Sequence, residues 1–550
     1  MQSAAIYFHP NGFDTTTGRL LGRHSAGESF LRGFLRSADI ERLDLWDVSG
    51  MGQEALEPML RRIGEPRQPI RWIPANNRAD LANPGVLNLP TPEINVEAWC
   101  RRIVGERAYA ICGITHTTST TRAMGIIADL LIAPTESYDA LICTSSAVRA
   151  SVETQLDGVR DYLAQEFGPR RRAEPQRVTI PLGVNTEDFS IDAGQRAAWR
   201  KRLNIPADAI VALYVGRFDL QEKMNPALMA VALEKSAVAT NQPIYWVNSG
   251  WAESGEAERT YHKETRALCP SVNYIHVDGR KPDVRFSIWS VADFFISFSD
   301  NIQETFGLTP IEAMAAGLPS VVTDWNGYKD SVRHGEDGFR ISTIAPGPGM
   351  GSDLAYWFTS GWMNYSNYVG AASQYVAVDY KEAVGAITAL VMYPDLRRRM
   401  GEQARARAKA VFDWAAIVPQ YQALWAEQDA RRRAAPPVPR SPDNPFRPDP
   451  FRLFAAYPTR NLELDDQLAL PAGMDWEIAK AQLAQPLASY SRLNRPSDTE
   501  VEQVIRWLSE RPSGRVADLL QTFPAGRQAF IRRGLLWIAR HDAIEIRPAG

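Results

Sequence analysis

Two glutamates, Glu304 and Glu312, stand with seven residues between them in the stretch SDNIQETFGLTPIEAMAAGLP, Ser299 to Pro319. The apolar run DFFISF leads into this stretch, and SVVT follows it. Thr309-Pro310-Ile311-Glu312 has the form of a helix start. Thr309 takes the N-cap, Pro310 the first helical position, where its missing N–H costs nothing, and Glu312 closes a capping box. The small residues Ala313, Ala315 and Ala316 let such a helix pack close to a sheet, and Gly317 with Pro319 ends it. The turn Thr305 to Leu308 then presents backbone N–H groups beside a positive helix end, an arrangement that holds phosphate. Carboxylates on both sides would repel a bare phosphate but suit a ligand whose phosphates are flanked by hydroxyls. A nucleotide sugar is such a ligand: Glu304 would accept from sugar hydroxyls and Glu312 from a ribose, in charge-assisted bonds of roughly 1.5–3 kcal/mol each. Glutamates at this spacing also recur by chance, and a capping role alone would account for Glu312. The setting of strand, turn, capped helix and strand is what distinguishes this pair.

The chain that must position them has 550 residues, 45% of them hydrophobic and 23% charged, which predicts two or three domains. A formal net charge of −3 offers no overall attraction to nucleic acid or anionic membrane, so an anionic ligand must be met by a local site. Cys100, Cys112, Cys143 and Cys269 form neither a CxxC pair nor a metal-ligand spacing and read as free thiols. With no D-x-D or H-E-x-x-H pattern either, no metal and no cofactor is expected. The N-terminal stretch lacks the basic and apolar regions of a leader, and no run approaches the roughly 18 apolar residues of a membrane span, so the chain reads as cytoplasmic.

Short apolar segments alternate with segments of helical period, as in parallel βαβ units. Ala4 to Pro10, Ile70 to Pro74, Ala108 to Ile114 and Tyr138 to Thr144 read as buried strands, and the segment from Arg177 to Phe189 as a strand ending in a turn. From Ile210 the alternation restarts with IVALYVGRF, PIYWVNS, VNYIHVDG, DFFISF and LPSVVT. Two doubly wound units in tandem leave a cleft at the carboxyl ends of their strands, where ligands bind. The aromatic-rich stretch Gly338 to Val376 has no clean period and reads as an inserted loop. A helical tail then gives way to AAPPVPRSPDNPFRPDPFR, a stiff proline-rich linker. Behind it, three helical segments and a strand-like end follow in winged-helix order.

At this point the residues reach a family. ETFGLTPIEAMAAGLPSVVTDWNG closely resembles the E-x7-E signature of retaining GT-B glycosyltransferases, specifically glycosyltransferase family four, the glycosyl transferases group 1. YVGRF followed by Lys223 resembles the family's G-R-x(n)-K phosphate segment. IPLGVNTEDF resembles its interdomain segment, HGEDGF the segment after the motif, and FDWAAIVPQYQALW its closing helix. The resemblance covers about Ala4 to Glu427 and implies an α/β GT-B fold, two Rossmann-like doubly wound domains facing across a cleft, plus a small, mostly helical module. The domains expected are 1–205 on the acceptor side, 206–433 on the donor side, a linker 434–460 and a winged-helix-like module 461–550.

Carried over by position, the resemblance makes Arg217 and Lys223 the counter-charges of a donor diphosphate. Phe306, Gly307 and Leu308 become the turn that meets the same phosphates, Glu304 the holder of the donor sugar and Glu312 that of the ribose. His116 resembles the active-site histidine, Gly27 with Glu28 the glycine-containing loop after strand one, and Asp278 in VDGR lies where the family's backbone contacts the base. Two departures stand out: Lys223 falls six residues after Arg217 rather than five, and the first loop lacks the common double glycine. The implied activity is retaining transfer from a nucleotide diphosphate sugar, a substrate rather than a cofactor, to a hydroxyl acceptor (glycan, lipid-linked or small molecule) in polysaccharide or glycoconjugate biosynthesis. The competing function is a nucleotide-sugar-binding regulator whose last module touches DNA or protein. Arg527, Arg532, Arg533 and Arg540 are interleaved with Phe530, Ile531, Leu535 and Ile538, and Glu510, Asp518 and Asp542 dilute their charge. That pattern weighs against nucleic acid and toward a protein partner or a homo-oligomer. Tyr356, Trp357, Phe358, Trp362, Tyr365 and Tyr368 of the insertion suit an acceptor glycan or a peripheral membrane contact, as Arg170, Arg171 and Arg172 suit anionic lipid, against the alternatives of packed and solvated loops.

Overall fold

A computed structural model describes residues 3–13, 22–169, 173–437, 440–490 and 494–549. The arginine triplet 170–172 and residues 14–21 of the first loop lie outside the described residues. The chain divides into two compact units, Met1–Pro442 and Asp443–Gly550. Among the described residues, no helix is long and apolar enough to cross a membrane.

The first unit holds two fully parallel sheets. The strands of the first are β1 (Ala5–Phe8), β2 (Leu43–Asp47), β3 (Ile70–Pro74), β4 (Val86–Asn88), β5 (Ala110–Ile114), β6 (Ala140–Cys143) and β7 (Gln176–Thr179), in the order β3-β2-β1-β4-β5-β6-β7. Those of the second are β8 (Ile210–Arg217), β9 (Ile244–Trp251), β10 (Asn273–Asp278), β11 (Phe294–Ser297), β12 (Ser320–Thr323) and β13 (Gly338–Ile341), in the order β10-β9-β8-β11-β12-β13. Both orders reverse beside the first strand, the Rossmann pattern, which opens a crevice beyond β1/β4 and beyond β8/β11. The two architectures in tandem are a GT-B fold. Helices cover both faces of each sheet, so the central strands β5, β6 and β11 are buried along their whole length. The long helix Trp414–Ala434 returns to the first sheet, where Gln428 donates to the carbonyls of Ile111 and Tyr138. Trp414 fills the space left by Gly33 and Gly183, whose missing Cβ atoms would lie within 3 Å of its side chain.

Three expectations are corrected here. The helix of the central motif runs Leu308–Ala315 with Gly307 at its N-cap and no side-chain cap, so Thr309 and Glu312 form no capping box. Gly307 at φ +84° starts the helix two residues early, and the Thr309 hydroxyl bonds the Tyr328 phenol instead. Pro310 becomes the third helical residue, where an N–H would still have no partner within the helix. Gly27 and Glu28 lie not in a loop but within the helix Gly22–Ser37, which Leu31, Phe34 and Leu35 hold to the core on one face. Gly27 is required there because a Cβ would sit 2.2 Å from the Gly12 carbonyl oxygen. The insertion is no loop either: it folds into the helices Ser352–Thr359, with Phe358 stacked on Tyr368 at 4.3 Å, and Tyr365–Ser373, capped by Asn364.

The second unit carries a three-stranded antiparallel sheet of Gln467–Ala469, Gly514–Arg515 and Glu545–Arg547, the first of these at its centre. Against it pack the helices Asp498–Ser509, Val516–Leu520 and Ala525–Arg540 around Val504, Leu508, Leu519, Leu535 and Ile538. Arg527 is bonded to Glu500 by two N–H groups, and Arg532 donates to the Leu462 carbonyl.

Candidate active site

The sequence places a cation at the end of β8, and the turn that follows decides what it meets. Asp219 organises that turn: its Oδ1 accepts from the N–H groups of Gln221 and Glu222 at 3.0 and 2.9 Å, and its carbonyl from those of Lys223 and Met224. The chain is thereby folded back so that Lys223 Nζ lies 3.5 Å from Glu304 Oε2, across from β11. Arg217 reaches Asp219 at 3.4 Å and Glu222 at 3.1 Å. The other Glu222 oxygen accepts from Ser366 Oγ at 2.6 Å. Burial works against its ionisation, but the bonds from Ser366 and Arg217 prevail and hold this carboxyl below the usual range.

The Thr305 to Leu308 turn follows directly. A Cβ at Gly307 would stand 2.1 Å from the Tyr328 ring, so both the φ angle and the packing demand glycine. Phe306 is buried beside Phe412 and offers a ligand only its backbone. The Thr305 carbonyl accepts from Ser145 Oγ at 2.7 Å, and the adjacent Ser146 gives Asp330 two bonds of 2.6 Å from its N–H and Oγ. The start of the helix that follows β6 thus faces this turn across the cleft. Glu312, half-buried one helical turn further on, is pushed up to about 7 by burial, against the opposing charge of Arg285. Arg285 itself pairs at 3.5 Å with Glu28 of the first-sheet lobe. Asp300, just before the motif, is likewise raised to about 7 by burial.

From the first sheet, His116 follows β5 and its Nε2 lies 2.7 Å from the Pro90 carbonyl. A carbonyl only accepts, so Nε2 carries the proton. Three residues on, Ser119 Oγ meets Tyr365 Oη at 3.1 Å. Tyr365 precedes Ser366, and Gln221 donates to Asn367 at 3.0 Å. One helix of the insertion therefore links the His116 loop to the Arg217 turn.

The structure brings Arg217, Lys223 and Glu304 together, with Gly307, Leu308 and Glu312 on the same short motif. Two candidates are engaged elsewhere: Asp278 receives two bonds of 2.9 Å from the Arg280 side chain, which holds its carboxyl low, and Gly27 serves helix packing. Asp219, Glu222, Ser145 and Ser366 carry no expectation from the sequence, and Tyr365, expected only as an acceptor or membrane contact, meets Ser119 instead. Two acids within five residues of Arg217 were the available sign of a counter-charge; Ser145, Tyr365 and Ser366 carry no local signal for contacts so distant in sequence.

Residues 195–344 match the family model described as glycosyl transferases group 1. A D-inositol 3-phosphate glycosyltransferase of Thermobispora bispora is 29% identical over 212 residues, 36% of this chain and 48% of that protein. One of Streptomyces scabiei is 31% identical over 214 residues, 36% and 47% of the two chains, and the putative glycosyltransferase EpsD of Bacillus subtilis is 27% identical over 182 residues, 33% and 45%. The chain spans about half the length of these curated relatives. Among solved structures, Anabaena Alr3699/HepE in complex with UDP-glucose aligns at 15% identity with a TM-score of 0.47, over 78% of this chain and 99% of that one. The matched segment contains β8 to β13 and every second-sheet residue of the cluster, so the second-sheet part of this chain is similar to the glycosyl transferases group 1.

Proposed function

We propose that the protein is a retaining glycosyltransferase that moves a sugar from a nucleoside diphosphate sugar to a hydroxyl acceptor in polysaccharide or glycoconjugate biosynthesis. The observation that carries this reading is the Lys223–Glu304 pair beside the N-terminal end of the helix Leu308–Ala315, with Arg217 on the same turn. Each cation is held by carboxylates at long range, so a diphosphate can take their place. On donor binding, Arg217 exchanges Glu222 for one phosphate and Lys223 exchanges Glu304 for the other, while the free N–H groups of the helix end complete the seat. Glu304, released, accepts from the donor sugar's hydroxyls, and Glu312 accepts from the ribose.

The same cations and N–H groups meet the charge that grows on the leaving diphosphate as the sugar–phosphate bond breaks. The acceptor oxygen bonds to the sugar carbon on the face the phosphate leaves. Its proton passes to the departing phosphate oxygen, so no protein carboxylate need form a covalent intermediate. His116, with its proton on Nε2, orients the sugar from the first-sheet side. The contacts of Ser145, Ser146 and Tyr365 across the cleft exclude water that would otherwise hydrolyse the donor.

The test is a panel of nucleotide sugars offered to the full chain, scored by thermal stabilisation, by donor hydrolysis and by the anomeric configuration of any product. One donor should stabilise the protein and give product with retained configuration. Failure of every donor, or full turnover in Lys223→Ala and Glu304→Gln, overturns the assignment.

A further inference from the structure

A second constellation lies away from the Lys223–Glu304 pair, on the helix Gly255–Ala267 and β10. Glu258 and His262 are four residues apart on that helix and so share one face; His276 projects from the neighbouring strand. One ligand atom of each lies within 4.8 Å of the other two. His276 Nε2 is 3.7 Å from Glu258 Oε1, and the two imidazole rings are centred 4.2 Å apart. His262 Nε2 and His276 Nε2 are both buried, and neither makes a hydrogen bond. Two imidazole nitrogens turned toward a carboxylate without a donor or acceptor to satisfy them are unusual, because buried polar atoms are nearly always paired.

We propose that Glu258, His262 and His276 bind a divalent zinc ion. Two imidazoles and a carboxylate are a zinc donor set, and three protein ligands leave one tetrahedral position for water. The surroundings have the features such a site needs. His262 Nδ1 is bonded to Tyr274 Oη at 2.5 Å, which fixes the ring and leaves Nε2 for the metal. Glu258 is fixed in the same way, its Oε2 accepting from the Ala252 N–H at 3.2 Å. Phe218 sets its ring edge-on to both imidazoles, at 4.8 and 5.4 Å, and closes the site on the side of β8. Tetrahedral bonds of about 2.0–2.1 Å put ligand atoms about 3.3 Å apart, so the three side chains close in by about an ångström on binding. The ion would pin the helix to β10 through Phe218, the residue after Arg217. The proposal does not rest on the proposed activity.

The test uses untagged full-length protein stripped with chelator and titrated with Zn²⁺, with Co²⁺ as an optical probe of coordination. The wild type should take up one equivalent, show the intense visible bands of four-coordinate Co²⁺ and melt at higher temperature with Zn²⁺ than without. Glu258→Gln and His276→Ala should each weaken binding about 100-fold or more and abolish the Zn²⁺-dependent melting shift. Tyr274→Phe, which removes only the bond to His262, should weaken binding about 10-fold. Melting of the metal-free Tyr274→Phe protein at the wild-type temperature shows that the loss is of metal and not of fold. No stoichiometric uptake by the wild type, or equal affinity in the three variants, overturns the site.

Discussion

Arg101 in the first sheet's lobe and Arg217 in the second are both arginines facing carboxylates, yet their surroundings are opposite. Arg101 is fully buried. It gives Asp139 two N–H bonds of 2.6 and 2.9 Å and others to the carbonyls of Tyr109 and Pro134, while Asp139 also accepts from the N–H groups of Ile111 and Glu136. Arg217 keeps 17% of its side chain exposed and holds two different acids at 3.1 and 3.4 Å, and Lys223, 33% exposed, holds Glu304 at 3.5 Å. The first pair is forked, fully buried and ties β5 to β6; the second group is loosely held and can change partners. A charge pair built for stability is therefore short, forked and dry, whereas one built to receive a ligand is long and wet.

The sharpest way to break this contrast is to remove one partner from each. Arg101→Met leaves Asp139 buried without its counter-charge and should cost about 3–5 kcal/mol of unfolding free energy in a denaturant titration. Lys223→Ala should leave the unfolding midpoint nearly unchanged, because exposed pairs contribute about 0–1 kcal/mol. It should instead lower transfer from the active donor about 100-fold, since the group acts on charge that grows as the bond breaks. If Lys223→Ala unfolded the protein and Arg101→Met did not, the distinction between the two pairs would be wrong.

The same contrast explains what was legible in the sequence. Continuous apolar runs such as AYAICGI and DFFISF announce strands of a parallel sheet, and the E-x7-E motif lies on the turn and helix between β11 and β12. The strand LDLWD was passed over because Asp44 and Asp47 interrupt it. Both are buried: Asp44 accepts from Arg71 on the next strand, and Asp47 from the turn residues Ser49, Gly50 and Gly52. Such compensation is tertiary and leaves no period. The helix start at Leu308 was misplaced because the positive φ of Gly307, set by packing on Tyr328, outranked the local cap signal of Thr309. The insertion showed no period because its aromatics serve different neighbours: Phe358 stacks on Tyr368, while Tyr365 turns to the His116 loop and Tyr356 is exposed.

A third measurement separates the two glutamates of the motif. Glu312 is raised to about 7 by burial, so between the ordinary carboxyl range and that value the folded chain holds a proton that the unfolded chain has released. Its contribution to stability is therefore full at acid pH and is lost as pH rises through about 7. Donor binding runs the other way, because the ionised carboxylate is the better acceptor for a ribose. Donor affinity should rise about 10-fold from pH 6 to pH 8 in the wild type and stay flat in Glu312→Gln, as read by calorimetry at each pH.

The smallest expected effect sharpens the comparison most. If a diphosphate must displace Glu222 from Arg217, then Glu222 opposes donor binding in the empty protein, and weakening its hold should help the donor. Glu222→Gln keeps the hydrogen bond from Ser366 within reach but removes the negative charge that Arg217 faces at 3.1 Å. Donor affinity should improve about 3- to 10-fold at low salt and by less at high salt, where the exposed pair is already screened. Unfolding should change little, in contrast to any change at Asp139. A loss of donor affinity in Glu222→Gln would mean that Glu222 orients Arg217 for the phosphate rather than occupying its place, which would make the arginine end of the site preorganised and leave partner exchange to Lys223 and Glu304 alone.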